Sequence, residues 1–419
     1  MSFANEKSVI VVGGGVIGAA SAHYLRQRGW RVTLVESGKF GAGCSHGNCG
    51  FVSPSHVLPL AEPGAVWKTL KGLCRSNSPF YIKPRFDPAL WRWLLSFARH
   101  CNQRDMLHGA HALHALLQSS SALYAALARN SLACEYERKG LLFVYQHSKY
   151  FEKFAAVNQL LSETFKLPAK KMSGDEVTAF EPALKSGLAG GWFYECDAHL
   201  RPDRLMTSWR ARLEADGVTI LENTQALDLR HAPESRKAVA LRTNKGEIVA
   251  DAFVFALGAM TPMFASLIGC RIPIQPGKGY SLTMPRPNIC PAVPLIFSEH
   301  KVAITPFQSG YRIGSTMEFS GYDATLNQRR LKLLKSGAEI YLREPYCEPL
   351  EEAWTGWRPM TPDSLPVIDF SPRFSNLVVA AGHGMLGISM APGTGKLVAE
   401  LLSGEPPHIN IEPFKLARF

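Results

Sequence analysis

Three glycines near the N-terminus have the spacing that holds the pyrophosphate of a dinucleotide. Gly13 permits a tight turn, Gly15 lets the backbone approach the phosphates, and Gly18 lets the following helix pack on the preceding strand. The positive end of that helix then faces the phosphates. Glu36 ends the next apolar segment, where a carboxylate can accept hydrogen bonds from ribose hydroxyls. A purely structural glycine turn would lack this added carboxylate, so the pattern favours a dinucleotide site.

A second group of chemically useful residues lies more than three hundred positions later. Arg358 supplies a cation, and residues 382–389 read Gly-His-Gly-Met-Leu-Gly-Ile-Ser, which is typical of a glycine-rich turn. The two segments together predict an enzyme whose cofactor contacts both ends of the chain.

The loop at residues 41–53 helps to identify the dinucleotide. Small residues there allow the loop to lie against a large planar ligand, and Ser45 and Asn48 offer hydrogen bonds. A nicotinamide-dependent dehydrogenase would normally continue into further strand–helix units at this point. The loop therefore favours FAD over NAD.

The elements that position these residues follow from the hydrophobic pattern. Residues 8–12 form a continuous apolar run, as expected for a buried parallel strand, and residues 31–36 predict the next strand. Further strands are predicted within 217–229, 239–257 and 376–381, and alternation over 276–319 predicts an antiparallel sheet. Helical periodicity predicts helices over the ranges 16–28, 87–101, 105–130, 150–163, 203–215, 326–341 and 391–402.

The predicted fold class is α/β, with an α+β second domain. A chain of 419 residues exceeds what a single hydrophobic core usually supports, so two domains are expected. A Rossmann-like FAD-binding domain is predicted over residues 1–57, 196–275 and 355–419. It is interleaved with an antiparallel-sheet substrate domain over residues 58–195 and 276–354.

Composition narrows the class of protein. The net charge is +11, but the basic residues are scattered and do not interleave with aromatic residues as in a single-strand nucleic-acid binder. We therefore predict no nucleic-acid partner. Nine cysteines, an odd number with irregular spacing and no CxxC motif, indicate reduced thiols and a cytoplasmic protein. No uninterrupted apolar run reaches the roughly 18 residues that span a bilayer.

The motifs occur in an order that resembles a known family. The chain is similar to the superfamily of FAD-dependent D-amino acid oxidases and dehydrogenases, above all to the branch of bacterial D-amino acid dehydrogenases, with the glycine oxidases as a neighbouring branch. The resemblance rests on blocks in the expected order across nearly the whole chain, namely Val9–Glu36, Ser45–Ser53, Val254–Gly258, Lys278–Ser281, Lys301–Thr305, Gly356–Asp363 and Gly382–Leu402.

The resemblance implies noncovalent FAD and oxidation of an amine at Cα, by hydride transfer to flavin N5. It places Ala226 near the adenine through its backbone. It also places residues 383–389 beside the flavin ring, where backbone N–H groups stabilise negative charge. The implied cofactor-binding residues are Gly13, Gly15, Val16, Ile17, Gly18, Glu36, Ser37, Ser45, Asn48, Gly50, Phe51, Ala226, Gly258, Gly384, Met385, Leu386 and Gly387.

Three residues are candidates for substrate contact. A guanidinium can bind a carboxylate through two hydrogen bonds, and Arg358 matches the arginine that holds the substrate carboxylate in related oxidases. The alternative for Arg358 is a structural arginine beside Trp354 and Trp357. Tyr280 could add a hydroxyl to the carboxylate or be an ordinary strand tyrosine. His199 either faces the active site or is a structural histidine.

The substrate implied by the resemblance is a D-amino acid. Glycine oxidases carry an arginine in the segment where this chain has Met385 and Leu386, so the resemblance to dehydrogenases is stronger. Residues 197–202 are similar to the corresponding segment of dehydrogenases for D-proline and hydroxyproline. A cyclic substrate such as D-proline or cis-4-hydroxy-D-proline is therefore a hypothesis.

The electron acceptor stays open at this point. A quinone or another acceptor is expected, and an oxidase that uses O2 is the main alternative. Other possibilities are the flavin subunit of a membrane-associated electron-transfer complex and a flavin-binding protein without catalysis, which would leave Arg358 idle. The sequence leaves open whether the protein forms a homo-oligomer.

Two other patterns have competing interpretations. His108, His111 and His114 recur every third residue, but they drift around a helix, so a solvated helix is preferred and no metal site is predicted. Residues 80–99 mix aromatic residues with arginines and lysine. They indicate either a helix at the inner membrane surface or one that packs Trp91, Leu94, Leu95 and Ala98 into the core.

Overall fold

The computed structural model describes residues 6–66, 80–130, 132–231 and 235–419. The predicted α/β class is confirmed, because helices surround one mainly parallel sheet and one mainly antiparallel sheet. Three sequence predictions lie partly outside what the structure describes. The parts concerned are residues 1–5 and 67–79 of the two predicted domains and the side chain of Phe80 in the aromatic segment.

The strands are β1 (Ser8–Val12), β2 (Arg31–Val35), β3 (Phe51–Val52), β4 (Phe80–Ile82), β5 (Leu141–Tyr145), β6 (Lys170–Ser173), β7 (Gly190–Tyr194), β8 (Ala198–His199), β9 (Thr219–Leu221), β10 (Ala226–His231), β11 (Ala238–Thr243), β12 (Gly246–Val249), β13 (Ala252–Phe255), β14 (Gln275–Met284), β15 (Leu295–Phe297), β16 (Val302–Phe307), β17 (Gly310–Phe319), β18 (Glu352–Met360), β19 (Val367–Phe370) and β20 (Leu377–Ala381).

The α-helices are α1 (Val16–Gln27), α2 (Pro88–His100), α3 (Gln103–Asn130), α4 (Ser148–Phe165), α5 (Gly174–Phe180), α6 (Pro202–Ala215), α7 (Ala265–Ile268), α8 (Gln328–Glu339) and α9 (Gly387–Ser403). Short 3-10 segments are Gly258–Phe264, Glu412–Phe414 and Leu416–Arg418.

The first sheet has the strand order β19-β20-β13-β1-β2-β9, with β19 antiparallel and the other strands parallel. Strand β1 is buried along its whole length because both faces of the sheet are covered. Alternate residues go to opposite sides: Val9 and Val11 pack towards α1 and α9, and Ile10 and Val12 pack towards the small sheet β10-β11-β12.

Three helices stack on one side of this sheet through small residues. A Cβ at Gly395 of α9 would lie 2.5 Å from the backbone carbon of Ala20 in α1, and one at Gly393 would lie 2.8 Å from Oγ of Ser120 in α3. Helix α3 therefore packs on α9, although the predicted boundaries assign these helices to different domains. The domain division stays a prediction. One hydrophobic core contains residues of both predicted domains, for example Val9 and Trp192.

The second sheet has nine strands in the order β18-β14-β17-β16-β15-β5-β7-β6, and β4 pairs with β17. Its pairs are antiparallel except β15 with β5 and β17 with β4, so the antiparallel sheet predicted over 276–319 is present. Helix α8 packs on one face of this sheet through Leu331 and Leu334. The opposite face meets the loop that follows β2.

Most helix boundaries agree with the sequence prediction within a few residues, with one clear difference. The last helix was predicted over 391–402 but begins at Gly387, with Pro392 inside its first turns. Pro392 has no N–H to donate to the carbonyl oxygen of Ile388, and that oxygen instead accepts a hydrogen bond from the hydroxyl of Tyr124 at 2.8 Å. The extra turn brings the N-terminus of α9 closer to the glycine-rich end of the parallel sheet.

Candidate active site

A cavity of about 600 Å³ lies at the carboxyl ends of the parallel strands, in the size range of roughly 300–1,000 Å³ that holds cofactors and small ligands. Segments from both ends of the chain line it, as the sequence predicted. The lining residues are Val12, Gly13, Gly15–Ile17, Val35–Ser37, Ala42–Ser45, Asn48, Thr224–Ala226, Ala256–Met260, Met263, Phe264, Ala324, Thr355–Trp357, Pro359, Ala380, His383, Gly384, Gly387 and Ile388.

The turn between β1 and α1 leaves no room for side chains at two of its glycines. Gly13 has φ +110°, and a Cβ there would lie 2.4 Å from the carbonyl oxygen of Ala256. A Cβ at Gly18 would lie 1.8 Å from the carbonyl oxygen of Gly13. Gly18 is outside the cavity lining and allows the helix to approach the turn, as its predicted role required. The turn therefore has the tight bend and the close packing of helix on strand that the first and third glycines of a dinucleotide-binding turn provide.

Glu36 lines the cavity and is held by its own turn. Its carboxylate accepts hydrogen bonds from the backbone N–H of Gly14 at 2.7 Å, from the backbone N–H of Gly38 at 2.8 Å and from the hydroxyl of Ser37 at 3.0 Å. A carboxylate has about four acceptor positions, so capacity remains for a ribose hydroxyl. The arrangement suits the predicted ribose contact of Glu36 and Ser37.

The loop after β2 closes over the start of α1. The hydroxyl of Ser45 accepts a hydrogen bond from the backbone N–H of Val16 at 3.0 Å, and Oδ1 of Asn48 accepts from the N–H of Gly50 at 2.8 Å. Gly50 has φ +79°, and a Cβ there would lie 2.0 Å from the carbonyl oxygen of Leu200. Gly50 therefore shapes the loop from outside the cavity lining. Phe51 is also outside this lining, in β3, paired with β8.

The N-terminus of α9 points its first turn at the cavity, where Gly387 and Ile388 form part of the wall. Backbone N–H groups in the first turn of a helix lack intrahelical partners and carry partial positive charge, so they can stabilise an anion. The segment before the helix is fixed to β18, since the N–H of Gly384 donates to the carbonyl oxygen of Pro359 at 3.0 Å. Met385 and Leu386 are outside the lining, in contrast to Gly384 and Gly387.

His383 lines the cavity and is otherwise buried. Its Nε2 lies 3.0 Å from Oγ1 of Thr394, and burial lowers the pKa of its imidazole to about 3. A histidine with this pKa stays neutral at physiological pH. It contributes a hydrogen-bonding group to the cavity and no charge.

Arg358 is a half-buried cation that stands between Trp357 and Pro359, two residues that line this cavity, but it is not itself one of the lining residues. Its guanidinium lies over Gly279, where a Cβ would come within 2.3 Å of Cζ. Nη1 donates a hydrogen bond to the carbonyl oxygen of Thr316 at 2.7 Å. Among the described residues, no carboxylate approaches the guanidinium within 4.0 Å. The remaining donors are therefore available to a ligand carboxylate.

The charge of Arg358 reaches two thiols of the loop after β2. Burial raises the pKa of Cys44 to about 11 and raises the pKa of Cys49, while Arg358 opposes both shifts. Burial also lowers the pKa of Arg358 itself, but an arginine keeps its charge in proteins. Cys44 lines the cavity, so the field of Arg358 extends to the cavity wall.

Tyr280 and His199 are placed away from this cavity. The hydroxyl of Tyr280 donates to Oε2 of Glu318 at 3.0 Å, and burial together with this carboxylate raises the pKa of the phenol. Nε2 of His199 lies 3.2 Å from the carbonyl oxygen of Pro306 and 3.3 Å from Oε2 of Glu137. The hydrogen bond from His199 lowers the pKa of Glu137 to about 2. The structure therefore does not bring these two side chains together with Arg358.

Ala226 and Gly258 line the cavity, as expected. Sequence reasoning missed the apolar wall formed by Met260, Met263 and Phe264 in the 3-10 segment Gly258–Phe264. This segment directly follows β13, and residues after the carboxyl end of a parallel strand commonly line ligand sites. That rule, applied to the predicted strand within 239–257, would have pointed to this segment.

Other sequence patterns have simple structural surroundings. The rings of His111 and His114 contact Phe165, with centroid distances of 4.9 and 5.3 Å. Within the described ranges, no three His, Cys, Asp or Glu side chains are grouped as metal ligands. No helix in those ranges is both long and apolar enough to cross a bilayer. Eight cysteines are described, and each is a free thiol.

Comparisons with known proteins agree with this architecture. Residues 8–401 match the family model described as DAO, FAD dependent oxidoreductase. The chain is 34% identical to the D-amino acid dehydrogenase of Paramagnetospirillum magneticum, over 98% of either chain. It is 32% identical to that of Agrobacterium fabrum, over 98% of this chain and 99% of the relative.

Solved structures with the same fold include two enzymes of different named activity. Glycine oxidase from Geobacillus kaustophilus superimposes with a TM-score of 0.79 at 23% identity, over 99% of each chain. L-proline dehydrogenase from P. horikoshii superimposes with a TM-score of 0.72 at 20% identity, over 99% of this chain and 98% of the other. At these identities the two structures support the fold alone.

Proposed function

The chain belongs to the family of FAD-dependent oxidoreductases, and on this premise we propose that it oxidises a D-amino acid at Cα. The observation that carries the proposal is the half-buried guanidinium of Arg358, which stands between two cavity-lining residues without a carboxylate partner among the described residues. A substrate carboxylate would supply the missing charge. Relatives named D-amino acid dehydrogenase, at 30–34% identity over nearly the full length, support the D-configuration.

The residues of the chain would divide the work between cofactor and substrate. FAD, when bound, would supply the hydride acceptor for oxidation of the substrate amine at Cα. Arg358 binds the carboxylate and thereby fixes the direction of the Cα–H bond. The N–H groups at the start of α9 stabilise negative charge in the cavity. His383 adds a hydrogen-bonding group that stays neutral.

The cofactor contacts are proposed in three groups. Gly13, Gly15 and the start of α1 receive the pyrophosphate, and Glu36 receives the ribose. The remaining predicted contacts that line the cavity are Val16, Ile17, Ser37, Ser45, Asn48, Ala226, Gly258, Gly384 and Gly387. Gly18 and Gly50 act through the backbone shape described above. Contacts of Phe51, Met385 and Leu386 with FAD stay predictions.

The proposal is tested by the visible spectrum of the purified protein, recorded without oxygen while single amino acids are added. An oxidised flavin band that D-amino acids bleach and L-amino acids leave intact is expected. Bleaching by L-forms would overturn the stereochemistry, and a spectrum without flavin would overturn the cofactor. The Arg358→Lys variant is the matched control, since it keeps a cation but loses the two-pronged geometry.

A cyclic D-imino acid, such as D-proline or cis-4-hydroxy-D-proline, is the narrower substrate proposal. Its support is the resemblance of residues 197–202 and the apolar pair Met385 and Leu386, which replaces a position that is arginine in glycine oxidases. Anaerobic titration should show flavin reduction by these compounds at lower concentration than by D-alanine. Failure of both imino acids to reduce the flavin would eliminate the narrower proposal and leave the broader one intact.

A quinone or another acceptor other than O2 is the proposed destination of the electrons, in line with relatives named dehydrogenase. The rate of dye reduction should greatly exceed the rate of hydrogen peroxide formation in air. Equal rates would favour the oxidase alternative. The same preparation, examined by size exclusion, would show whether the chain forms homo-oligomers or retains partner subunits.

We propose that α2 makes a peripheral contact with the cytoplasmic face of the membrane. Helix α2 buries Leu90 and Trp93, while Trp91 is 56% and Leu95 63% exposed, and Phe86 just before the helix is 94% exposed. The second sequence alternative, with Trp91 and Leu95 in the core, is therefore wrong. Exposed aromatic and aliphatic side chains are typical of helices that lie in a lipid surface.

Sedimentation with anionic lipid vesicles tests this contact. The protein should sediment with the vesicles, and a Trp91→Ser, Leu95→Ser variant should remain in the supernatant. The matched control is Tyr150→Ser, which removes an aromatic side chain that is 49% exposed on α4. Equal sedimentation of all three proteins would contradict the contact.

A further inference from the structure

Arg312 is a buried arginine whose short hydrogen bonds go to a loop and not to an acid. It lies in the middle of β17, and only 1% of its surface is exposed. Burial lowers the pKa of its guanidinium. The nearest carboxylate oxygens, in Asp203 and Glu352, are 3.8 and 4.0 Å from Nη2. A buried cation that lies this far from its counter-ions requires other polar partners.

The partners are backbone carbonyls of the loop after β2. Nη1 donates to the carbonyl oxygen of His46 at 2.9 Å and to that of Asn48 at 2.7 Å. Nε donates to Oγ1 of Thr283 on the neighbouring strand at 2.9 Å. Hydrogen bonds from a charged donor are stronger than neutral ones, so Arg312 joins the loop firmly to the second sheet.

Neighbouring residues of the same sheet also contact this loop. We call the group Arg312, Thr283, Thr305 and Trp354 the loop seat. Oγ1 of Thr305 donates to the carbonyl oxygen of Cys49 at 2.6 Å. The ring of Trp354 lies so close to Gly47 that a Cβ there would come within 2.0 Å of it, and Cβ at Gly314 would come within 2.6 Å of Sγ of Cys49. The loop carbonyls at 46, 48 and 49 are thus all held by side chains of the antiparallel sheet.

This loop is also part of the cofactor cavity. Ala42–Ser45 and Asn48 line the cavity, and the Ser45 hydroxyl accepts the N–H of Val16 at the start of α1. Arg312 itself is outside the lining and acts one layer behind these residues. We propose that Arg312 is a positioning residue for FAD, which holds residues 43–49 in the shape that receives the cofactor and so couples FAD affinity to the second sheet. This proposal rests on FAD binding and is independent of which amine is oxidised.

The test compares Arg312→Met with a matched control, Arg201→Met. Arg201 is also largely buried, lies over the ring of Phe307 as Arg312 does, and pairs with Asp203. Its side-chain hydrogen bonds to other partners go to Ser309. The two variants therefore disturb one ion network, but only the first removes hydrogen bonds to residues 46 and 48.

FAD is removed from each purified protein, and the apoprotein is titrated with FAD while flavin fluorescence is recorded. For Arg312→Met we expect FAD affinity to fall about 10- to 100-fold, and for Arg201→Met we expect a change of less than about threefold. Arg312→Lys should be intermediate, because one ammonium group cannot reach both carbonyls and Thr283 with the geometry of a guanidinium. Hydrogen exchange of the apoproteins should be faster at residues 43–50 in Arg312→Met alone.

Equal FAD affinity in the two methionine variants would overturn the proposal. If Arg312→Met does not fold, Thr305→Val provides a milder removal of one loop hydrogen bond, and we expect it to weaken FAD binding about 3- to 10-fold. An unchanged affinity in Thr305→Val would then count against a positioning role for the loop seat. Because the readout is binding of FAD, the result does not depend on the substrate proposal.

Discussion

The two faces of the nine-stranded sheet bury arginines in opposite ways. On the face towards the loop after β2, Arg358 lies on Gly279 and has no carboxylate within 4.0 Å among the described residues. On the other face, Nε of Arg330 lies 3.5 Å from Oε2 of Glu318, which also accepts the hydroxyl of Tyr280. A cation with its counter-ion inside the protein serves the fold, whereas a cation without one is available to an anionic ligand.

Glycines create the space for the first arrangement. Alternate residues of β14 point to opposite faces, so Gly279 shares the face of Arg358 and Tyr280 takes the other. Gly279 and Gly356 face each other on neighbouring strands and support the guanidinium of Arg358 and the ring of Trp354. A side chain at either glycine would fill the volume that these two residues occupy. The two glycines therefore leave space on this face for the large side chains of Arg358 and Trp354.

Replacing Arg358 gives the largest effect that the comparison predicts. With Arg358→Met we expect kcat/KM for the D-amino acid to fall about 10³-fold, because roughly 4 kcal/mol of carboxylate binding is lost. The affinity for FAD and the unfolding midpoint should stay close to those of the unaltered protein, since no internal charge is left unpaired and the carbonyl oxygen of Thr316 loses a single hydrogen bond. Steady-state kinetics and urea unfolding measure the two quantities. A loss of less than about tenfold would place the substrate carboxylate elsewhere.

Breaking the internal pair should have the opposite signature. Arg330→Met leaves Glu318 as a buried carboxylate without its cation, and we expect a loss of about 3 kcal/mol in the free energy of unfolding. For protein that retains FAD, kcat/KM should change less than about threefold. The Arg330→Met, Glu318→Gln double variant should recover much of the stability, as the uncompensated charge is gone. If kcat/KM falls as far as in Arg358→Met, the functional difference between the faces is wrong.

Asp197 is a third kind of buried charge, an acid held by uncharged donors, one of which is the thiol of Cys196 at 3.6 Å. It accepts hydrogen bonds from Oγ of Ser55 at 2.6 Å and from the N–H of Ser55 at 3.1 Å, and no cation of the described residues lies within 4.0 Å. Burial raises the pKa of Asp197 to about 7. The folded protein therefore binds a proton more tightly than the unfolded chain does. This contribution to stability is complete below about pH 4 and is lost as the pH rises through 7.

Asp197→Asn should remove that pH dependence. At pH 8 we expect the variant to be more stable than the unaltered protein by about 4 kcal/mol, and at pH 4 the difference should vanish or reverse. Urea unfolding of both proteins between pH 4 and pH 8 measures the difference. The matched control is Ser55→Ala, which removes one hydrogen bond and should destabilise the folded carboxylate further at high pH. A difference between Asp197→Asn and the unaltered protein that is constant with pH would contradict the raised pKa.

Sequence reasoning places residues of one local unit together, whereas it does not determine which residues of distant strands share a face. Gly13, Gly18 and Glu36 act within one strand–helix–strand unit, so their spacing along the chain determines their geometry. Tyr280 pairs with Thr355 while Gly277 pairs with Arg358, an offset that puts Tyr280 and Arg358 on opposite faces. A shift of one residue in register would reverse this, and register between strands about 80 residues apart is not encoded locally.

His199 was ambiguous for a related reason. Its partners are Glu137, more than sixty residues earlier, and Pro306, more than a hundred later. Neither contact leaves a local pattern in the sequence. The contacts of Arg312 were missed as well, although a lone arginine among the uncharged residues of 310–314 is a usable signal, since a buried charge requires specific partners.

The smallest predicted effect belongs to Tyr280→Phe and gives the finest test of the two faces. Removal of the hydroxyl deprives Glu318 of one hydrogen bond, so we expect a loss of about 1 kcal/mol in the free energy of unfolding and a change in kcat/KM of less than about threefold. The control is Ser281→Ala on the opposite face, whose hydroxyl is buried without a partner among the described residues. Its removal should leave stability almost unchanged. If Tyr280→Phe instead lowers kcat/KM more than about thirtyfold at unchanged stability, the tyrosine hydroxyl reaches the substrate and the face of Tyr280 is not purely structural.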